Sequence, residues 1–436
     1  MMRFFYNLLF PLGLLIILPG YLLKMRRRGN YRRNFGQRFS LYDEATRARL
    51  TNGRKRTWIH AVSVGEVAIA LKLATKLREL ESDFHCVLTT TTTTGFAFAE
   101  REVPGWMEVM YNPLDFWPIV RRAFTLIQPT RLVLVEAEVW PNLAAMAHAR
   151  GVPLALVNAR LSERSERRFR IVRWFVAPTF RCLDLVCAQE GRDIARWESI
   201  GVRRAALKET GSIKYDPTAE SAESVLPRRI LESFCLTEER PIFFAGSTHA
   251  GEEEILADVF LELRAELPKL VLFIAPRHVE RTPEILARLR ERGLRVALRS
   301  LAEKNETAEP DCLLLDTTGE LRTWYAIATI VFVGKSLTAH GGQNPVEPIV
   351  AGKPVVFGPH MENFRTLART LVEEDAAVQV RDAAGLRERS AELLRDPSRR
   401  AALVQNAQRV LAAHRGATQR TAELLLQLRP GVTHRK

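Results

Sequence analysis

The sequence is poor in cysteine, and its few cysteines follow no recognisable pattern. They are Cys86, Cys182, Cys187, Cys235 and Cys312. The number is odd, and the spacings lack the close pairs that a structural zinc site requires. This distribution argues against a disulfide scaffold and is typical of buried free thiols in a reducing compartment.

Acidic residues are few for the number of basic ones. The 436 residues contain 64 lysines and arginines against 50 aspartates and glutamates, which leaves a net charge of +14. Such an excess favours an anionic partner, whether nucleic acid, anionic lipid or a phosphorylated substrate. The length suggests two or three domains with sizeable cores.

Two common enzyme signatures are absent. No loop has the G-x-x-x-x-G-K-[ST] spacing of a phosphate cradle, because Gly334-Lys335-Ser336 offers only its last three letters. No G-x-S-x-G nucleophile elbow occurs either. A P-loop nucleotide hydrolase and a serine hydrolase of the α/β class are therefore disfavoured.

Charge is missing from residues 4–23, and seven basic residues follow before any acid. Twenty helical residues reach about 30 Å, the thickness of a bilayer's hydrocarbon core. A cleaved signal peptide has the reverse order of charge, and the positive-inside rule keeps this basic flank in the cytoplasm. We therefore expect a membrane anchor. Because this segment contains prolines and glycines, the anchor can be a helix that spans the membrane, a broken helix or a segment that inserts halfway.

Residues 58–68 predict a strand, a tight turn and a helix. An apolar run ends at Ser63 and Gly65, and apolar residues then recur at helical spacing from Val67. This pattern places Glu66 in the first helical turn, beyond the carboxyl end of a strand, where α/β sheets bind ligands. The alternative is an acid that only suits the helix dipole.

Further strand ends carry polar groups. Glu136 and Glu138 follow the most apolar predicted strand and point to the same side in extended chain, a favourable arrangement for binding hydroxyls or moving protons. A threonine run at 89–94 has two interpretations. It is either extended chain whose hydroxyls make hydrogen bonds within its own turn, or a set of hydroxyls that face a ligand. An arginine-rich segment at 164–173 is either a solvated helix face or a membrane- or phosphate-binding surface.

The strand and helix pattern occurs twice, which predicts two successive doubly wound α/β domains. The predicted strands are 58–62, 84–88, 131–135, 153–157 and 183–188, then 241–245, 270–275, 313–316, 330–333 and 354–357. We place an anchor and basic flank at 1–30, a first domain at 31–210, a second at 211–410 and a C-terminal helix and tail at 411–436. Residues 383–428 are expected to be amphipathic helix, and 218–224 a junction.

Six motifs together resemble one known family. They are His60-Ala61-Val62-Ser63-Val64-Gly65-Glu66, Glu136-Ala137-Glu138-Val139-Trp140-Pro141-Asn142, Asn158-Ala159-Arg160-Leu161-Ser162, Gly211-Ser212-Ile213-Lys214-Tyr215-Asp216, Pro276-Arg277-His278 with Glu280-Arg281, and Gly341-Gly342-Gln343-Asn344-Pro345-Val346-Glu347. In this order they look like the 3-deoxy-D-manno-octulosonic acid (Kdo) transferases of lipid A assembly. The resemblance covers about residues 31–363.

The resemblance implies a GT-B glycosyltransferase, in which two Rossmann-like domains face each other across a cleft. Such an enzyme moves Kdo from CMP-Kdo to the lipid A precursor, a tetraacylated diglucosamine bisphosphate (lipid IVA), with inversion. It implies the cytoplasmic face of the inner membrane, an anionic membrane surface as partner, no nucleic acid, and neither cofactor nor metal.

The resemblance also implies roles for individual residues. Glu66 matches the proposed general base, and Glu136 and Glu138 complete the catalytic candidates. The candidates for donor binding are Lys214, Ser247, Thr248, Arg277, His278, Gly341, Gly342, Asn344 and Glu347. The candidates for acceptor binding are Ser63, Gly65 and Arg160.

Two other functions fit parts of the sequence. A different GT-B transferase or a nucleotide-sugar epimerase would share the fold and the Gly-Gly…Glu loop, and would use a nucleoside diphosphate sugar. A membrane-tethered nucleic-acid-binding protein would explain the charge of +14, but no recognised motif supports it and the basic residues adjoin the apolar segment.

Overall fold

The computed structural model describes residues 2–27, 34–216, 225–234, 240–301 and 310–428. The predicted junction at 218–224, Cys235, part of the basic flank and the end of the tail lie outside these ranges. The chain folds as two units. One comprises residues 1–216 and 414–436, and the other residues 217–413. The chain therefore passes between the units after residues 216 and 413, whereas the sequence predicts these boundaries after residues 210 and 410.

The first unit is built on a seven-stranded parallel sheet in the order β3-β2-β1-β4-β5-β6-β7. Its strands are β1 Arg56–His60, β2 Cys86–Thr90, β3 Met107–Tyr111, β4 Pro129–Val135, β5 Leu154–Ala159, β6 Leu185–Ala188 and β7 Leu207–Glu209. The helices up to the domain boundary are α1 Met2–Arg27, α2 Glu44–Leu50, α3 Val64–Leu80, α4 Thr93–Glu102, α5 Trp117–Ile127, α6 Pro141–Ala149, α7 Glu163–Ile171, α8 Arg173–Phe180 and α9 Gly191–Ser199.

The second unit repeats the plan with a seven-stranded parallel sheet in the order β10-β11-β9-β8-β12-β13-β14. Its strands are β8 Ile242–Thr248, β9 Val271–Pro276, β10 Val296–Leu298, β11 Cys312–Leu314, β12 Ile330–Val333, β13 Val355–Phe357 and β14 Val378–Gln379. Its helices are α10 Val225–Ser233, α11 Glu252–Glu266, α12 Thr282–Glu291, α13 Leu321–Tyr325, α14 Val346–Val350, α15 Arg365–Glu373, α16 Ala383–Arg395 and α17 Pro397–Ala412.

Each sheet is covered on both faces, which explains why its central strands are apolar throughout. Trp58 belongs to the core on one face of the first sheet and Ile59 to the core on the other. In the second unit, Phe243 likewise belongs to the core on one face of the sheet and Phe244 to the core on the other. Alternate residues of a strand face opposite sides of its sheet, so a strand buried on both faces shows no polar alternation.

The chain returns to the first unit after residue 413. The last helix, α18 Ala417–Gln427, packs against α3. Asp216 fixes its start, accepting the N–H groups of Gly416 and Thr418 at 2.8 Å each. The predicted helical tail is therefore three helices, because Pro397 begins α17 and Gly416, with φ +74°, precedes α18.

The N-terminal helix lies against the first unit on one side only. Asn7 exchanges hydrogen bonds with Asn142 at 2.9 and 3.0 Å and accepts the Trp117 N–H at 3.1 Å. Phe10 stacks on Phe116 with ring centroids 5.6 Å apart. Among the residues that the structure describes, no helix combines the length and apolar character needed to cross a bilayer.

Candidate active site

The first candidate centre lies where the strand order of the first sheet reverses, between β1 and β4. Glu66 lies in the first turn of α3 after β1, and Glu136 directly follows β4. Open α/β sheets bind ligands beyond the carboxyl ends of the strands at such a reversal. Two of the predicted catalytic acids therefore occupy the position that this fold offers to a ligand.

Glu66 is held by the start of its own helix. Ser63 caps α3, and its Oγ accepts the Glu66 N–H at 3.4 Å while donating to Glu66 Oε1 at 2.9 Å. Glu66 Oε2 accepts the Val62 N–H at 2.9 Å. This reciprocal arrangement resembles a capping box, so the acid does stabilise the helix start. The cap also fixes the orientation of the carboxylate.

The environment of Glu66 suits a proton acceptor. Burial raises the pKa of its carboxyl to about 7, and the negative charges of Glu136 and Glu138 act in the same direction. The hydrogen bonds from Val62 and Ser63 oppose that rise. A general base works best when its pKa is close to the operating pH, which is the case for this carboxyl.

The turn before Glu66 is fixed from the neighbouring strand. The hydroxyls of Thr90 and Thr92 donate to the Val62 carbonyl at 3.1 and 3.0 Å. These two hydroxyls of the threonine run therefore donate hydrogen bonds within the protein rather than to a ligand. Gly65 is exposed, and a Cβ there would meet only Ser63 Oγ at 4.0 Å, so the space beside it is open.

Glu136 adopts a left-handed backbone conformation with φ 65°, which is uncommon for a residue other than glycine and is often found at functional sites. Burial raises the pKa of its carboxyl, while the positive charges of Lys214 and Arg160 lower it. Burial also raises the pKa of Glu138, which receives a hydrogen bond from Trp140. Lys214, predicted to bind the donor, thus lies in the first unit with Glu136 and Arg160.

Asn158 positions the loop that carries Lys214. Its backbone has φ 52° at a register shift in β5. Its Oδ1 accepts the Ile213 N–H at 2.9 Å and the Ser212 hydroxyl at 3.2 Å. The sequence singled out the Asn-Ala-Arg motif but assigned no role to Asn158, because its partners lie more than fifty residues away.

The second unit has its own reversal of strand order, between β8 and β12, and one buried acid joins the loops that follow these strands. Glu252 has no exposed surface. Its Oε2 accepts the N–H groups of His249 at 2.9 Å and Lys335 at 2.7 Å, and its Oε1 those of Ser336 at 2.9 Å and Leu337 at 3.0 Å. The sequence alone indicates no role for Glu252 at the site.

The predicted donor residues after β8 and β9 differ in exposure. Thr248 is fully buried and its hydroxyl donates to Glu253 at 2.9 Å, while Ser247 is partly exposed with φ 56°. The side chains of Arg277 and His278 are exposed, and the Arg277 N–H donates to the Thr248 carbonyl at 3.0 Å. Gly334, just after β12, packs against the end of β8. A Cβ at this position would collide with the backbone of Ser247 and Thr248.

The remaining donor candidates lie after β12. Gly341 and Gly342 have φ angles of 124° and 69°, which a side chain would strain. Asn344 Nδ2 donates to Glu347 Oε1 at 3.4 Å, and Arg322 approaches the same oxygen at 3.8 Å. Glu347 is 27% exposed and lies at the start of α14, so its carboxylate remains accessible to a ligand.

Similarity to known proteins identifies the family of this chain. Residues 33–217 match the sequence profile described as Glycos_transf_N, 3-Deoxy-D-manno-octulosonic-acid transferase (kdotransferase). A 3-deoxy-D-manno-octulosonic acid transferase of Haemophilus influenzae is 34% identical over 428 residues, 98% of each chain. One of Bordetella pertussis is 37% identical over 376 residues, 84% of this chain and 86% of that one. The chain belongs to the Kdo transferase family.

The fold of this Kdo transferase agrees with that identification. The crystal structure of the glycotransferase of kitacinnamycin is similar, with a TM-score of 0.52 and 14% sequence identity, and the match covers 87% of this chain and 100% of that one. At that identity the likeness concerns the fold alone. It confirms the predicted pair of parallel-sheet α/β domains of GT-B type. The family confirms a glycosyltransferase and decides against the nucleic-acid-binding alternative.

Proposed function

We propose that this Kdo transferase moves Kdo from CMP-Kdo to a hydroxyl of lipid IVA, with inversion at the anomeric carbon. The observation that carries the proposal is the Glu66 carboxyl at the strand-order reversal, whose pKa is raised to about 7. A sugar hydroxyl is a poor nucleophile, so a carboxylate must accept its proton as the new C–O bond forms. Inversion follows from one displacement at the anomeric carbon.

Arg160 of the first unit is assigned to the acceptor. It provides positive charge beside Glu136, and lipid IVA carries two phosphates. Lys214, which also lies beside Glu136, stays a candidate for binding the donor. Hydrogen bonds between ionised partners are about twice as strong as those between neutral groups. Ser63 and Gly65 border the open space beside Glu66 and complete the acceptor side of the proposal.

The second unit is assigned to the donor. The leaving CMP develops negative charge on its phosphate, which needs positive or N–H donors aimed at it. Arg277 has an exposed guanidinium next to the loop of Ser247, and Glu347 offers a carboxylate to ribose hydroxyls. In this proposal the transfer requires no metal, because protein groups accept the proton and neutralise the leaving phosphate.

The direct test is a transfer assay with purified full-length protein, lipid IVA and either CMP-Kdo or a UDP-sugar. We expect mass spectrometry to show Kdo on lipid IVA only with CMP-Kdo, and NMR of the product to show the opposite anomeric configuration from the donor. Transfer from the UDP-sugar, or no transfer from CMP-Kdo, would contradict the proposed donor.

Replacing Arg277 or Glu347 with alanine is expected to weaken CMP binding by about ten- to a hundredfold, since a hydrogen bond to a charged group contributes roughly 1.5–3 kcal/mol. Isothermal titration calorimetry with CMP measures this directly. Arg290→Ala, which removes an exposed arginine of α12, is the matched control and should leave the affinity unchanged. Unchanged affinity in both test variants would remove the two residues from the donor site.

Attachment to the cytoplasmic face of the inner membrane is part of the same proposal. Helix α1 has exposed apolar side chains. They include Phe4, Leu8, Leu9, Leu12, Leu15 and Ile16. On α7 and the start of α8, Ile171 and Trp174 are 79% and 80% exposed among arginines. Aromatic and basic residues together favour an anionic lipid surface.

We expect two sets of substitutions to separate the apolar and electrostatic parts of membrane binding. Serine at Leu8, Leu12 and Leu15 should weaken binding to anionic vesicles at every salt concentration. Serine at Arg164, Arg167, Arg168 and Arg170 should weaken it mainly at low salt, because each basic residue contributes about 1 kcal/mol near an anionic surface and salt screens it. Vesicle sedimentation at two ionic strengths is the measurement. Wild-type binding in both variants would contradict the proposed surface.

A further inference from the structure

Two loops of the second unit bring two histidines and one glutamate together. His340 lies in the loop after β12, and His360 and Glu362 lie in the loop after β13. One ligand atom from each residue lies within 4.8 Å of the other two. Glu362 Oε1 is 2.9 Å from His340 Nδ1 and 3.6 Å from His360 Nδ1, and the two imidazole rings have centroids 4.2 Å apart.

We propose that His340, His360 and Glu362 bind a divalent transition-metal ion, with Zn²⁺ as the best fit. Zinc bonds to histidine nitrogen and carboxylate oxygen are about 2.0–2.2 Å long, so tetrahedral ligand atoms stand about 3.3 Å apart. The distances of 2.9 and 3.6 Å from Glu362 Oε1 bracket that value. Two imidazoles favour zinc, copper or nickel, whereas magnesium prefers oxygen ligands.

The second oxygen of the glutamate is already oriented. Glu362 Oε2 accepts the Gly341 N–H at 2.6 Å, which leaves Oε1 directed at the two imidazoles. Metal sites depend on such outer hydrogen bonds to hold the ligands in place. The three side chains are 80%, 31% and 36% exposed for His340, His360 and Glu362. An ion can therefore enter from solvent and keep a water ligand.

The site is connected to the loop assigned to the donor. Besides the bond to Glu362, Gly341 accepts the Asn363 N–H on its carbonyl at 2.8 Å. The Gly342 N–H donates to the Lys335 carbonyl at 2.9 Å. A bound ion fixes Glu362 and with it the Gly341-Gly342 turn. In this proposal the ion orders the loop, and proton transfer remains assigned to Glu66.

Metal binding is tested on the tag-free full chain by calorimetry with Zn²⁺ and by the visible absorption of Co²⁺. We expect one ion per chain, bound at least tenfold more weakly by His340→Gln and by Glu362→Gln, since even outer-shell changes cost about 10–100-fold. His148→Gln, an exposed histidine on α6, is the control and should bind like the wild type. The proposal is overturned if the wild type binds Zn²⁺ with only millimolar affinity, or if all variants bind Zn²⁺ as tightly as the wild type.

The effect on the loop rests on the proposed donor assignment and is measured separately. CMP affinity should rise with saturating Zn²⁺ in the wild type and in His148→Gln, but not in His340→Gln, because ligands that order the same loop bind cooperatively. Zn²⁺ binding without any change in CMP affinity would keep the metal site and overturn the coupling. Absence of CMP binding by the wild type would contradict the donor assignment instead.

Discussion

Replacing Glu66 with glutamine is expected to lower the rate of Kdo transfer by about a hundredfold or more, while folding and CMP affinity stay close to those of the wild type. The amide keeps an oxygen that can accept the Val62 N–H and an NH₂ group that can face Ser63 Oγ, so the helix cap is largely retained. It cannot accept a proton from the acceptor hydroxyl. The measurement is single-turnover transfer from CMP-Kdo.

The pH dependence provides a second readout of the same assignment. A base must be deprotonated to act, and burial raises the pKa of Glu66 to about 7. The rate should therefore fall as the pH drops through about 7, and this inflection should be missing from the residual activity of the glutamine variant.

Asp193→Asn is the matched control for Glu66→Gln. Asp193 is a buried acid of the same unit, and burial raises the pKa of its carboxyl to about 6, but it lies in α9 and faces Arg196 at 3.6 Å. Its replacement should leave both the rate and the pH profile intact. A Glu66→Gln enzyme that retained more than about half of the wild-type rate would show that another group is the base.

Replacing Glu252 with alanine is expected to lower the free energy of unfolding of the second unit by roughly 3 kcal/mol or more. The substitution removes the acceptor for four N–H groups, and each buried donor without a partner costs about 1–3 kcal/mol, reduced where water enters. For a unit of this size the melting temperature should fall by about 6–12 °C. Differential scanning calorimetry measures it.

The control for Glu252 comes from the same turn of α11. Glu254 is partly exposed and lies 3.3 Å from Arg288, and an ion pair of this kind contributes at most about 1 kcal/mol. Glu254→Gln should therefore shift the melting temperature little. Since Glu252 also holds the loops of His249 and Lys335, its alanine variant should bind CMP more weakly even well below its melting temperature. A melting temperature equal to that of Glu254→Gln would refute this role.

Prediction of the fold succeeded at the centre of each sheet and failed at the edges. All ten predicted strands exist, with ends shifted by a few residues. The four strands that were missed, β3, β7, β10 and β14, are the outer strands of the two sheets. Edge strands have fewer apolar neighbours, so their sequences are short or mixed in polarity, as in the partly exposed Val378–Gln379. Apolar runs in the sequence therefore indicate only the strands that are buried on both faces.

The sequence by itself determined what depends on near neighbours. Ser63 and Glu66 are three residues apart, so the strand, turn and capped helix follow from local chemistry. The repeated alternation of apolar runs and helices was sufficient for two α/β domains, and the motifs taken in order were sufficient for the family. The N-terminal apolar run is also evident from the sequence. The sequence does not show, however, that Asn7 binds one side of α1 to the first unit through Asn142.

Only the tertiary structure decided which distant groups meet. Glu252 bonds to backbone groups more than eighty residues away, Asn158 holds the loop of Lys214, and Lys214 lies beside Glu136. His340 reaches Glu362 across a strand and a helix. Such contacts depend on the order of strands in a parallel sheet, where each crossover brings remote loops to one edge. Strand order arises from the packing of the whole domain, so no local pattern specifies it.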